Sequence, residues 1–146
     1  MIRDATKDDF EDILDMCEEF WRHTAYDEPF DRDHSSAMVG VAFEHGLLMV
    51  VEIDGRIAGF IAGIKAPLMG SGQALAATEL AWWVDPEHRG CGAGFKLMKG
   101  IEDRAREMGV KYWNMASMKS SNDRHANSIY ERAGYKLTET VYQKVL

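Results

Sequence analysis

Two cysteines in 146 residues, Cys17 and Cys91, lie far apart and have no metal-ligand spacing. They exclude a disulfide framework and a zinc cluster, so free thiols in a cytoplasmic protein without a metal are the expectation. No apolar run approaches about 18 residues, so no membrane-spanning helix is expected. Residues 1–9 lack the apolar core of a signal peptide. Positive charge is scarce too: 17 Lys and Arg stand against 24 Asp and Glu, a net charge of −7. A nucleic acid needs a basic face, so it is excluded as the main partner. Internal repeats, low-complexity runs and linkers are also lacking.

What is present is an ordinary globular composition, 46% apolar and 28% charged, in a chain of one-domain length. A single domain over residues 1–146 is expected. The charge is uneven: residues 1–46 carry 13 acidic and 4 basic side chains, and the remainder 11 and 13. An acidic N-terminal third attracts a cationic substrate. The blander reading is two helices with solvated outer faces.

Residues 2–5 read as a first strand. Thr6 followed by Asp9 resembles a capping box and opens a helix on which Phe10, Ile13, Leu14, Cys17, Phe20 and Trp21 recur at helical spacing. That stripe is core, and Cys17 on it reads as a small buried hydrophobe. Residues 23–32 form a loop, and a second helix over 33–44 turns Ala37, Met38, Val41 and Ala42 inward, stopping at Gly46. Residues 47–53 and 56–66 are strands joined by Asp54-Gly55, a strong hairpin signal. Residues 67–73 read as a loop before a third strand over 74–84. A helix over 95–108 and a strand over 111–116 follow, the strand parallel to its predecessor because a helix intervenes. A short helix over 125–132 and one or two strands over 135–146 complete the order β-α-α-β-β-β-α-β-α-β, with a final β left open.

The stretch that organises the chain is residues 79–94. An apolar strand ends at Val84-Asp85-Pro86, a glycine-dense loop follows, and then a helix begins. Exposed N–H groups at a helix start favour a phosphate-bearing ligand. A dinucleotide fold wants G-x-G-x-x-G near the first strand, and a Walker loop ends in Gly-Lys-Ser/Thr. Gly90-Cys91-Gly92-Ala93-Gly94 fits neither. Arg89 to Gly94 does match Arg/Gln-x-x-Gly-x-Gly/Ala. In this setting it resembles the GNAT family of N-acetyltransferases. Ile2-Arg3-Asp4-Ala5-Thr6 with Asp9 is similar to that family's opening. Asp54-Gly55-Arg56-Ile57-Ala58-Gly59 is similar to its hairpin, and Ala126-Asn127-Ser128-Ile129-Tyr130-Glu131-Arg132-Ala133-Gly134-Tyr135 to its last-helix motif.

The resemblance implies an α/β GNAT fold, a mixed and mostly antiparallel sheet of six to seven strands with about four helices. It implies acetyl-CoA as co-substrate, its pyrophosphate on the backbone of Arg89, Gly90, Cys91, Gly92, Ala93 and Gly94. Pantetheine would run along Trp82, Trp83 and Val84. Asn122 or Asn127 would bond its amides; the position seven before Tyr130, where the family often has Asn, is Asp123. The implied reaction is direct transfer of acetyl to a primary amine in a ternary complex, with Tyr130 protonating the leaving thiolate. Glu79 is the candidate base, directly or through water, because an ionisable group in an apolar strand gains a useful pKa if buried. Strand parity puts Glu79, Ala81 and Trp83 on one face. Tyr26, Asp27 and Glu28, with Asp31, would border the amine, either a small cationic molecule or a peptide. Family members often dimerise, which leaves a homodimer open. The alternative is a non-catalytic module of the same fold that binds acyl-CoA or a partner protein.

Overall fold

In the strand 47–53 every residue from Leu47 to Val51 is apolar, a pattern that needs cover on both faces. The computed structural model, which describes residues 1–119 and 123–146 (the side chain of Asp123 excepted), supplies it. The described chain divides into two compact units, Met1–Ala116 and Ser117–Leu146. In the first, β1 (Ile2–Asp4) leads through a 3-10 turn (Lys7–Asp9) to α1 (Phe10–Trp21) and α2 (Arg32–His45). Then come β2 (Leu47–Ile53), β3 (Arg56–Leu68) and β4 (Ser71–Val84). A short turn (Pro86–His88), α3 (Ala93–Glu107) and β5 (Val110–Asn114) end the unit. The sheet order is β1-β2-β3-β4-β5, antiparallel as far as β4, with β5 parallel to β4.

One face of the sheet offers Met49, Val51, Ile61 and Ala77 to Leu97, Ile101 and Ala105 of α3. The other offers Leu48, Val50, Phe60 and Trp83 to Ile13 and Leu14 of α1 and to Val39 and Ala42 of α2. Period-two alternation in the strands thus feeds two separate cores. At the start of α1, the Asp9 carboxylate accepts from the Thr6 N–H (2.7 Å) and hydroxyl (3.0 Å). It also accepts from both terminal nitrogens of Arg3, at 2.7 and 2.8 Å. The expected cap is therefore also a clamp on β1.

Several expectations need correction. The segment 67–73 is not a loop: β3 and β4 continue as a paired ribbon past Ala66↔Ala76 and turn at Met69-Gly70. On α2, Val39 and Ala42 are buried, whereas Ala37, Met38 and Val41 are exposed. The helix begins at Arg32, capped by Asp31, and its phase is set by the sheet it covers rather than by its own weak stripe. In the second unit, α4 (Asp123–Arg132) forms as expected, but residues 135–146 form no strand. The sheet has five strands among the described residues, not six or seven. Leu137, Val141, Tyr142, Val145 and Leu146 are exposed. A β-rich pattern becomes a strand only where a ladder satisfies its backbone, and this segment has none.

Candidate functional site

β4 pairs with β3 from Ser71 to Val84, with interruptions at residues 72–74 and at Leu80, but with β5 only from Leu75 to Thr78. The two parallel strands then part, leaving the β5 side of residues 79–84 without a ladder partner among the described residues. A bulge sits at this point: Ala62 pairs with Ala81 and Gly63 with Glu79, so Leu80 is the extra residue. The bulge breaks the alternation. Ala77 lies in the α3-side core, whereas Ala81 and Trp83 lie on the α1–α2 side. Strict parity therefore does not place Glu79 with Ala81 and Trp83, as the sequence alone suggested.

Glu79 stands where the ladder stops. Its Oε2 accepts the Ala116 N–H at 3.1 Å, just beyond the end of β5. Burial pushes its carboxyl up to about 7, partly offset by that hydrogen bond. Burial disfavours the charged form, and the single amide donor returns only part of the lost solvation. A carboxyl poised near neutrality can accept a proton from an amine at physiological pH.

At the other end of β4 the glycine loop turns into α3. Gly90 and Gly92 hold φ of +84° and +86°, a region that side-chain-bearing residues rarely adopt. Nothing lies within 4 Å of a Cβ built on either, so conformation rather than crowding requires glycine there. Gly94 differs, because its Cβ would stand 3.1 Å from Cζ2 of Trp82. Gly92 is the N-cap of α3, with no side-chain cap and no acidic residue in the first turn. The N–H groups there are the ordinary orphan donors of a helix start, an arrangement suited to an anion. Cys91 is exposed, and its thiol donates to the His88 carbonyl at 2.9 Å.

Arg89 ties the loop back to the strand. Its Nε donates to the Val84 carbonyl at 2.8 Å, and its guanidinium carbon lies 4.4 Å from the centre of the Trp83 ring. Trp83 is itself fixed: it is buried, and its Nε1 donates to Asp85 at 3.1 Å. The His23 ring, just past α1, approaches it to 5.1 Å. Sequence reasoning missed this cluster and the Ala116 donor. The Arg/Gln position of the motif was a signal for the first; no signal pointed to the second.

The remaining candidates are more dispersed. Tyr26 is exposed and stacks on Trp21 at 5.4 Å, and Trp21 Nε1 donates to the Glu28 carbonyl at 2.7 Å. Asp27 and Glu28 are exposed beside them. Asp31, also exposed, accepts the His34 N–H at 2.9 Å as the cap of α2. Asp9, Asp12, Asp15 and Glu19 of the N-terminal third meet elsewhere, in an open groove of about 580 Å³ that Asp85 also lines. That groove contains neither Glu79 nor the glycine loop.

Asn122 lies outside the described residues. Asn127 is exposed on α4, and Tyr130 is half-buried three residues on. The Gly134 N–H bonds the Glu131 carbonyl (3.1 Å) and the Tyr135 N–H bonds the Tyr130 carbonyl (3.0 Å). Together with φ of +88° at Gly134, these bonds make a Schellman cap. The Tyr135 ring rests 5.7 Å from that of Tyr130, the apolar contact that accompanies such a cap. The Tyr-x-x-x-Gly-Tyr spacing is thus a device that seats the Tyr130 ring. Among the described residues no His, Cys, Asp and Glu group could hold a metal ion. No helix there is long and apolar enough to cross a membrane.

A mixed sheet whose parallel pair parts beside a glycine-rich helix start defines an α/β fold with an open strand edge next to that helix start. The model of the acetyltransferase (GNAT) family matches residues 7–135, and the chain belongs to that family, whose donor is acetyl-CoA. Solved structures share the fold at low identity. A transcriptional regulator from Bacillus halodurans C-125 superposes with a TM-score of 0.80 at 21% identity, covering 100% of this chain and 99% of the other. A ribosomal-protein-alanine N-acetyltransferase from Brucella melitensis biovar Abortus 2308 gives 0.76 at 16%, covering 100% and 99%. An aminoglycoside N-acetyltransferase in complex with CoA gives 0.78 at 17%, covering 99% and 93%. Among curated proteins, none matches the chain in sequence.

Proposed function

We propose that this protein is an N-acetyltransferase that moves the acetyl group of acetyl-CoA to a primary amine by direct attack in a ternary complex. The observation that carries the reading is Glu79: a half-buried carboxyl with its pKa near 7, on the strand that leads into the glycine loop. The loop's open glycine face and uncapped helix start fit a pyrophosphate. Beyond the end of the β5 ladder at Thr78, the edge of residues 79–84 turned away from β3 fits an arm that bonds like an added strand.

In this scheme Glu79 takes the proton of the ammonium, directly or through water, and the Ala116 N–H keeps its carboxylate oriented. Backbone N–H groups near Trp83 and Val84 polarise the thioester carbonyl. The nitrogen–carbon bond forms, the carbon–sulfur bond breaks, and Tyr130 gives its phenolic proton to the departing thiolate; the second proton that the nitrogen sheds on becoming an amide restores the phenol through solvent, and Glu79 releases its own to bulk water. Tyr26, Asp27 and Glu28 flank the acceptor, and the two carboxylates favour a cationic amine, small or peptidic.

The test is calorimetry with acetyl-CoA followed by acetylation assays over a panel of polyamines, aminoglycosides and peptides. Saturable binding and CoA release with at least one amine are expected. Absence of binding at high micromolar acetyl-CoA would sink the proposal. Binding without turnover on any amine would replace it with a non-catalytic acyl-CoA module.

A further inference from the structure

The first basic residue of the glycine loop is the obvious partner for a pyrophosphate, yet its side chain is occupied within the protein. The Arg89 Nε donates to the Val84 carbonyl at 2.8 Å, and the guanidinium carbon lies over the Trp83 ring, 4.4 Å from its centre. Val84 is the last residue of β4, where pairing with Gly59 of β3 ends. Its carbonyl, at the strand's end, therefore receives a donor from beyond the turn. The turn between them is closed by its own bonds: the His88 N–H to the Asp85 carbonyl (2.9 Å) and the Arg89 N–H to the Pro86 carbonyl (3.3 Å). Trp83, the surface on which Arg89 rests, is held by the core and by Asp85. Both anchors of Arg89 thus lie in consecutive residues of β4.

We infer that Arg89 is a positioning residue, which staples the glycine loop to the end of β4 by its Nε–Val84 bond and its stack on Trp83, and so sets the span between pyrophosphate cradle and thioester track. The inference rests on the acetyl-CoA reading above. What the staple needs is a planar group with an N–H donor, and positive charge is secondary. A guanidinium has both features, and so does a primary amide on a shorter stem. An ammonium has the charge but neither the plane nor the fixed donor geometry. The usual ranking of conservative substitutions is therefore inverted at this position: Gln serves better than Lys.

The experiment compares acetyl-CoA binding and steady-state kinetics for wild type, Arg89→Gln, Arg89→Lys and Arg89→Met. Folding of each is checked by thermal denaturation. Wild type is measured first: if it does not bind acetyl-CoA, the acetyltransferase reading fails and not the staple. Given binding, Arg89→Lys should lose about tenfold or more in kcat/KM for acetyl-CoA, the scale of one charged hydrogen bond, and resemble Arg89→Met. Arg89→Gln should lose several-fold less than Arg89→Lys. With a donor that has no pyrophosphate, S-acetyl-N-acetylcysteamine, the Lys variant should lose much less, because no cradle has to be registered against the strand. Lys equal to or better than Gln would show a phosphate-binding cation and overturn the inference. So would equal losses with both donors. Should the Arg89 variants fail to fold, Trp83→Phe keeps the charge and shrinks the stacking surface. Weaker acetyl-CoA binding is then expected, and unchanged binding overturns the staple.

Discussion

Glu79 gives the most exacting test, because its stability and activity effects run in opposite directions from one physical cause. Its carboxyl rises from an ordinary 4.5 to about 7, chiefly through burial. Between those two values the folded protein holds a proton that the unfolded chain has released. Stability therefore falls as pH rises from about 4.5 to about 7 and is level above that. At roughly 1.4 kcal/mol per pH unit, the cost of the buried charge is at most about 3.5 kcal/mol. The half-exposed side chain brings the real value below that ceiling. Glu79→Gln keeps an oxygen for the Ala116 N–H and never ionises. It should match wild type in urea unfolding near pH 4.5 and exceed it by about 2 kcal/mol at pH 9.

The same substitution removes the base. Wild-type kcat/KM should climb through pH 7 to a plateau, and Glu79→Gln should lose about a hundredfold or more and the pH dependence with it. A stability difference that is the same at pH 4.5 and pH 9 would mean a solvated carboxyl with an ordinary pKa. The assignment of Glu79 as base would then lose its ground, whatever the activity of the variant.

Arg3 first, then the Thr6 donors, hold Asp9 down to about 2 from 3.8, so the stability it contributes is present above about 3.8 and disappears as pH falls through 2. Asp9→Asn should cost about 2–3 kcal/mol in urea unfolding at pH 7, and the difference from wild type should vanish near pH 2. Gly92→Ala forces a side chain onto a φ of +86°, a strain of about 1–2 kcal/mol at the cradle, and should weaken acetyl-CoA binding in calorimetry. Gly63→Ala puts a Cβ 2.5 Å from the Trp113 ring; a loss of about 1–3 kcal/mol is expected, read as a lower urea midpoint. Tyr130→Phe should lower kcat about a hundredfold with little change in acetyl-CoA affinity; unchanged kcat removes Tyr130 from the mechanism.

Features written in a few adjacent residues were legible beforehand. The stripe of α1, the Asp54-Gly55 hairpin, the glycine loop and the Gly134 cap all depend on local conformation. The inward face of α2 was not, since Val39 and Ala42 are selected by the sheet they cover. Pro67, Gly70 and Gly72 read as a loop, yet cross-strand pairing carries β3 and β4 through them. The C-terminal segment shows the converse: alternation and β-branched residues without a ladder produced no strand. At the site, the types and order of residues were readable, but the partners that tune them were not. Ala116 lies 37 residues from Glu79, and only the parting of β4 and β5 brings its N–H to the carboxylate.

That parting is also what separates this strand from any other apolar strand ending in a glycine turn. A β4 fully paired with β5 would offer no N–H or C=O to an extended ligand, and Glu79 would have no amide to orient it. Three features converge on the same few residues: the ladder ends at Thr78, the bulge lies at Leu80, and Gly63, opposite Glu79, has no Cβ where the Trp113 ring lies. Glycine in a strand is a recognised mark of a bulge or a close approach, and here it marks both. The geometry that opens this edge is set at residues 78–80 of β4, well before the glycine loop. A search for function in such a chain therefore profits from reading the strand's interruptions as closely as its motif.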